Sequence, residues 1–297
     1  MPRPAPATDR TISVINLLAG SPNASFTLSD LSRRLNINKA TVHPQLAALV
    51  QAGYLQRDPT SKTYSLGGAL IAVGNAAGRR QFEVVEHARD EMISMAVDLG
   101  VQSIASARFG MEIVLLARAG RNGPFLSPEV ARLPLVPPFG GVFMAWADQE
   151  TLNEWIALVP ADRRQDVAEQ YWAAIASIQA HGYGVGLRPP DDRSRWQQSS
   201  FPAAAPSVPL LPSDYLLLQP EPDAEYAVNV IAAPVFGPDG GVVVALSLFD
   251  FPPVLAGTAV RAAAERLVQA TRRVTNAIHG WSPLDDIGQS SISRLTI

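Results

Sequence analysis

The chain has 297 residues, 47% of them apolar, and a formal net charge of −3. That length suits one small and one larger domain, with apolar residues enough for a sizeable core. The chain has no cysteine, which excludes disulfides, thiolate metal sites and a cysteine nucleophile and fits a reducing, cytoplasmic setting.

No uninterrupted apolar run approaches the roughly 18 residues of a membrane span, so no membrane partner is expected. The charge is unevenly spread. Residues 1–80 hold nine Arg or Lys (Arg3, Arg10, Arg33, Arg34, Lys39, Arg57, Lys62, Arg79, Arg80) and three acids (Asp9, Asp30, Asp58), a balance of +6. The remainder holds 15 basic and 24 acidic residues, a balance of −9. A basic head on an acidic body points to a nucleic-acid-binding unit joined to a separate domain.

In chain order, the first predicted element is an amphipathic helix over 9–19. Ile12, Ile15, Leu18 and Ala19 fall at helical spacing with Ser13 and Asn16 between them, which reads as a core helix and not as a signal peptide. In TLSDLSRRLNI, Thr27 caps the next helix and Asp30 answers it three residues on, a capping box, while Leu28, Leu31 and Leu35 line one face. After a break at Asn36–Asn38, Val42, Leu46, Leu49 and Val50 mark another helix, which Gly53 stops. Pro44 constrains where that helix begins. With Asn38 as the cap, the missing N–H of Pro44 would leave the Ala40 carbonyl unpaired, at roughly 3 kcal/mol. With Thr41 as the cap, the proline falls in the first turn, where its N–H has no intrahelical partner anyway. The expectation is a helix shortened to start near Val42. YLQRDPTSKTYSLG then reads as two strands, 54–57 and 63–66, around an Asp-Pro turn.

Helix, helix, three-residue turn, helix and hairpin make a winged helix-turn-helix. The second helix of the pair would enter the major groove and present His43 and Gln45, Gln45 being suited to adenine, with Lys39 and Thr41 near the phosphates. Arg33, Arg34, Arg57 and Lys62 would supply phosphate contacts, the last two from the wing, and Lys39 the register. A helix is expected over 68–80, with Leu70, Ile71, Val73 and Ala77 as its apolar positions.

The body begins with an amphipathic helix, FEVVEHARDEMISMAVDLG, ended by Gly100. QSIASARFG and MEIVLLARAG read as strands meeting at Phe109–Gly110. A Pro-rich approach, RLPLVPPFGG, leads into one helix, VFMAWADQETLNEWI, and a second helix over 166–180 closes at Gly182. YAVNVIAAPVF and GVVVALSLFDF are apolar strands joined by GPDGG, a hairpin turn, before a long helix over about 256–279. Strand pairs alternating with helices imply an α+β domain: an antiparallel sheet flanked by helices. The stretch 188–222 is rich in Pro and Ser, excludes a long helix or central strand, and reads as a surface excursion or a flap. Residues 282–297 would form a C-terminal tail.

The head, from Arg10 to Gly74, resembles the DNA-binding half of the IclR family of bacterial transcriptional regulators. Leu28, Leu31, Leu35, Lys39, Thr41, Val42, Leu46, Leu49, Gly53, Tyr54, Leu55, Tyr64, Leu66 and Gly67 fall where that family's pattern has such residues. Ala40 and Pro44 depart from it, standing where the family has a hydroxyl residue and an arginine or other polar contact. The body resembles the family's GAF-like effector-binding domain, best over LPLVPPFGGVFMAW and VNVIAAPVFGPDGGVVVALSL. The resemblance implies domains at 1–67, 68–80 (linker) and 81–281, and an effector pocket formed by Phe139, Gly140, Gly141, Val230, Ser247 and Phe249. Physical chemistry adds that Phe139–Gly141 open a helix, so their free N–H groups would favour a carboxylate; the glycines could instead serve only tight packing. Val230 and Phe249 stand where small-acid sensors of the family have Cys or Ser, which implies a larger or more hydrophobic ligand.

The implied function is a ligand-responsive regulator. It would hold a palindromic operator in double-stranded DNA as a homodimer or a dimer of dimers, and sense a small, fairly hydrophobic organic acid. The alternative is an IclR-like sensor whose specific DNA binding is weakened or lost through Ala40 and Pro44. An enzyme is disfavoured. His43, His87, His181 and His279 lie far apart with no metal spacing, GYGVG at 182–186 is too weak for a nucleotide loop, and no cofactor is implied.

Overall fold

The structure is a computed structural model that describes residues 5–21, 24–120, 132–159, 161–188 and 215–284. Most of the Pro-rich stretch, with Trp196 and Phe201, lies outside the described residues, as does the tail from 285. The chain divides into two compact units between Arg79 and Arg80.

The N-terminal unit contains α1 (Pro6–Ala19), β1 (Phe26–Thr27), α2 (Leu28–Leu35), α3 (Lys39–Gln51), β2 (Leu55–Arg57) and β3 (Thr63–Leu66). Its sheet runs β1-β3-β2, so the wing hairpin gains a third strand that the two residues of β1 were too short to signal. The capping box forms: the Thr27 hydroxyl accepts from the Asp30 N–H at 3.2 Å, and the Asp30 carboxylate accepts from the Thr27 N–H at 3.2 Å. Val14, Leu18, Leu31, Val42, Leu46 and Leu55 are all but fully buried and make the core with Phe26, Leu49 and Tyr64. The buried face of α1 is thus Val14 and Leu18, while Ile12, expected on that face, is half exposed.

Helix α3 overturns the expected late start. It begins at Lys39, with Asn38 as its cap: the Asn38 side chain accepts from the Ala40 N–H at 2.9 Å and its carbonyl from Val42 at 3.1 Å. Pro44 sits inside the helix. The reason lies in which side of the helix the missing bond falls on. Ala40 and Pro44 are both exposed, so water can take the carbonyl that the proline leaves without a donor. The opposite side meanwhile buries Val42, Leu46 and Leu49.

The expected linker and the first body helix are one element, α4 (Ala69–Leu99). No proline removes a donor anywhere in its length, and Gly100, at φ +65°, ends it. The C-terminal unit is built on β4 (Gln102–Phe109), β5 (Glu112–Ala119), β6 (Arg132–Pro134), β7 (Gly184–Leu187), β8 (Leu216–Leu217), β10 (Val228–Phe236) and β11 (Val242–Phe249). These form an antiparallel sheet of order β6-β5-β4-β11-β10-β7-β8, and β9 (Glu225–Tyr226) pairs with β12 (Leu255–Ala256) beside it. Four strands of this unit lie where none was expected, β6 in the Pro-rich approach, β7 in the GYGVG cluster, β8 and β12, all with too few residues for an alternating pattern.

The helix expected over 142–156 is two, α5 (Gly141–Met144) and α6 (Gln149–Ala157). Asp148 makes the break by starting the second: its side chain accepts from the Thr151 N–H at 2.8 Å. α7 (Ala161–His181) and α8 (Gly257–Ala277) complete the unit. One sheet face packs on α4 and α8 through Val85, Met92, Ile231, Leu246, Leu267 and Val274. The other packs on α5, α6 and α7 through Met144, Trp155, Tyr171 and Ile175.

Candidate functional site

Two regions carry candidate chemistry, one in each unit. On the head, Lys39 and His43 are exposed on α3 and Thr41 is half-buried. Gln45 is turned away from the exposed face. Its Nε2 lies 3.4 Å from the Ala7 carbonyl on α1, and its Oε1 is buried without a hydrogen-bond partner. Arg33 and Arg34 end α2 as exposed cations. Arg33 is tied to Asp30 at 2.7 Å, whereas the Arg34 guanidinium lies 4.9 Å over the Phe26 ring. Arg57 leaves the wing from β2, 5.8 Å from the Tyr64 ring. The wing turn is held by the Asp58 carboxylate, which accepts from the N–H of Ser61 at 2.7 Å and of Thr60 at 2.8 Å; these bonds hold its pKa below the usual carboxylate value. Lys62, at φ +55°, follows that turn and is exposed.

In the body, Phe139, Gly140, Gly141, Val230, Ser247 and Phe249 all line one cleft with a free volume of about 120 Å³. β10 and β11 bring Val230, Ser247 and Phe249 to the same sheet face, and the start of α5 closes over them. Gly140 makes the entry to α5 possible. It has φ +87°, and a Cβ there would lie 2.1 Å from Leu135 Cδ1. The Trp155 indole donates to the Phe139 carbonyl at 3.2 Å and fixes that wall.

The Phe139 N–H is not free, as the sequence implied, but donates to the Val136 carbonyl at 2.7 Å. The N–H groups of Gly140, Gly141 and Val142 have no acceptor among the described residues. α5 is only 4 residues long, so its dipole is slight and any anion would be held by these individual amides.

The sequence did not single out Ser106 on β4 or Tyr215 just before β8, and both line the cleft. Tyr215 is 5% exposed, stacks edge-on against Phe139 at 5.5 Å between ring centres, and stands where a Cβ on Gly186 would touch its hydroxyl at 2.8 Å. Burial pushes its pKa up to about 12, against an opposing hydrogen bond from Asn229, so the hydroxyl keeps its proton. Among the described residues no charged side chain lines the cleft, and Ser106, Ser247 and Tyr215 are its side-chain polar groups. Among the described residues no cluster of His, Cys, Asp or Glu could hold a metal ion, and no helix is long and apolar enough to cross a membrane.

One chain thus carries a winged helix-turn-helix, the class of fold that binds DNA, and a sheet-and-helix body with an apolar cleft. Residues 7–59 match the IclR helix-turn-helix domain. The glycerol operon regulatory protein of Streptomyces griseus is 34% identical over 76 residues, which cover 26% of this chain and 30% of that protein. The chain therefore aligns with less than a third of that relative's length. Among solved structures, the IclR transcriptional regulator of Alicyclobacillus acidocaldarius superposes with a TM-score of 0.62 at 20% identity, covering 93% of this chain and all of that one. An IclR homologue of Microbacterium hydrocarbonoxydans, complexed with 4-hydroxybenzoate, gives 0.60 at 18% identity, covering 92% of this chain and 99% of that one. The N-terminal unit is an IclR helix-turn-helix domain, and the chain as a whole has the fold of the IclR regulators.

Proposed function

We propose that the protein is a ligand-responsive transcriptional regulator that binds a palindromic operator in double-stranded DNA as a homodimer, or a dimer of dimers. Its effector is a small, fairly hydrophobic organic acid or a related metabolite. The reading is carried by one juxtaposition: an IclR head in the same chain as an apolar cleft lined by Phe139, Gly140, Gly141, Val230, Ser247 and Phe249.

The cleft has about 120 Å³ of free volume, near the ~150 Å³ of an engineered apolar cavity that holds benzene. That favours a single ring or a branched chain. The side chains of Val230 and Phe249 cannot hydrogen-bond a two- or three-carbon acid, and with no cation among the described lining residues the acid group rests on neutral donors. The amides of Gly140 and Gly141 and the hydroxyls of Ser247 and Tyr215 are those donors. On α4, Ile71 is 69% exposed, apolar surface that a second copy would cover. Ligand binding would favour one arrangement of the two linker segments and so change the spacing of the heads.

The test is a thermal-shift comparison of benzoate, 4-hydroxybenzoate and pyruvate. It is followed by gel shift on DNA upstream of the protein's own gene, with and without the acid that stabilises most. Ring acids should raise the melting temperature and alter DNA affinity. Stabilisation by pyruvate alone would overturn the ligand class.

A further inference from the structure

The centre of the exposed face of α3 carries no hydrogen-bonding side chain ahead of Gln51. Ala40, Pro44 and Ala47, spaced i, i+4 and i+7, form an exposed stripe opposite the buried Val42, Leu46 and Leu49, and Ala48 widens it. Lys39 and His43 border the stripe on one side and Gln51 ends it in the last turn. Gln45, the one amide in the first half of the helix, is turned onto α1. A reading helix ordinarily distinguishes bases with Arg or Lys on guanine and Asn or Gln on adenine. None of these stands on the stripe ahead of Gln51. Its surroundings are nonetheless those of a DNA-binding surface: Lys39, Arg34, Arg57 and Lys62 are exposed on the same unit and in no ion pair among its described residues.

We infer that α3 recognises its site by apolar contact with thymine methyl groups in the major groove, through Ala40, Pro44 and Ala47. This rests on the reading of the head as a DNA-binding domain. The C5-methyl is the one apolar feature a base pair presents in that groove, and it fits a face of methyls and a pyrrolidine ring. Small side chains let the helix backbone approach the bases closely. The missing N–H of Pro44 removes a donor that could serve only the helix, and its ring adds apolar surface at the middle of the stripe. Affinity then comes from the flanking cations, and selectivity from methyls together with His43.

The experiment uses the full chain to select sites from a random-sequence DNA pool. Each thymine of the recovered half-site is then replaced by deoxyuridine, which lacks the methyl and keeps every hydrogen-bonding group. Binding is measured at one fixed salt concentration. Affinity should fall about 4-fold per contacted methyl, which is about 0.8 kcal/mol, with the salt slope unchanged. The Ala47→Ser variant should show a smaller uridine penalty at one position only. A specific site that tolerates uridine everywhere, or selection of guanine at the positions facing the stripe, would overturn the inference and leave DNA binding standing. A chain that retains no sequence and binds no DNA even at low salt would overturn both the inference and the reading of the head.

Discussion

Gly141 opens α5 against the cleft, and a Cβ there would lie 3.1 Å from Ile178 Cδ1. Gly141→Val should therefore fill the cleft and abolish the thermal shift with ring acids, while gel shift finds DNA binding retained. Tyr215→Phe removes the hydroxyl and its hydrogen bond with Asn229, so the melting temperature without ligand should fall slightly. If that hydroxyl donates to the acid, affinity should fall by roughly 1 kcal/mol, about 5-fold, read by calorimetry. Ser247→Ala should weaken binding by a comparable amount, and Phe249→Ser should shift preference toward smaller, more polar acids. On the head, Arg57 is exposed and lies 5.8 Å from the Tyr64 ring, so Arg57→Ala should weaken all DNA sequences about equally and reduce the salt slope by about 1. Loss of binding to the specific site alone would mean that the wing reads bases.

At the scale of the element, α3 keeps a proline that local propensity argues against. Pro44→Ala restores a donor to the Ala40 carbonyl and should raise the unfolding free energy, measured in urea, by roughly 1–3 kcal/mol. The lower part of that range is expected, because the carbonyl is already on the wet side. Pro44→Arg should gain part of the same stability and move the selected base opposite it from thymine to guanine. The capping box of α2 is a second local device: Thr27→Ala should cost about 1 kcal/mol of unfolding free energy. In the body, Glu91 on α4 holds two arginines of α8. Arg273 bonds it most closely, and Arg266 reaches it at 3.1 Å and also meets the Ser94 hydroxyl at 3.0 Å. The hydrogen bond from Arg273, more than any other influence, holds the Glu91 pKa below its usual value. A carboxylate with a lowered folded pKa adds stability above its unfolded pKa and loses it as pH falls through the folded one. Glu91→Gln should thus lower the urea midpoint at neutral pH, with the difference from the parent shrinking on acidification.

For the whole molecule, the split of charge predicts two kinds of salt dependence. Arg34, Lys39, Arg57 and Lys62 form no ion pair among the described residues, while Arg33 is held by Asp30. Two heads on an operator would engage about eight phosphates, giving a slope near −7 for log affinity against log salt. The cleft has no charged lining among the described residues, so effector affinity measured by calorimetry across the same salts should stay nearly flat.

The sequence by itself determined what short-range physics controls. The capping box at Thr27, the helical spacing of Leu28, Leu31 and Leu35, and the apolar runs and Gly-rich turn of the β10–β11 hairpin are decided within a few residues. With the family resemblance, those elements sufficed to name the six residues that the structure brings to one cleft. The late start assigned to α3 was wrong because local energetics counted the unpaired carbonyl of Ala40 but not the side of the helix it would face. Burial of Val42, Leu46 and Leu49 set the helix, and the exposed side left the cost to water. The same limit hid β1, β6 and β7, strands of 2, 3 and 4 residues that exist only because a neighbouring strand pairs with them. It hid Tyr215 as well. Nothing near it in the chain marks it, and its ring becomes a wall of the cleft only where the fold sets it against Phe139 and leaves Gly186 no room for a side chain.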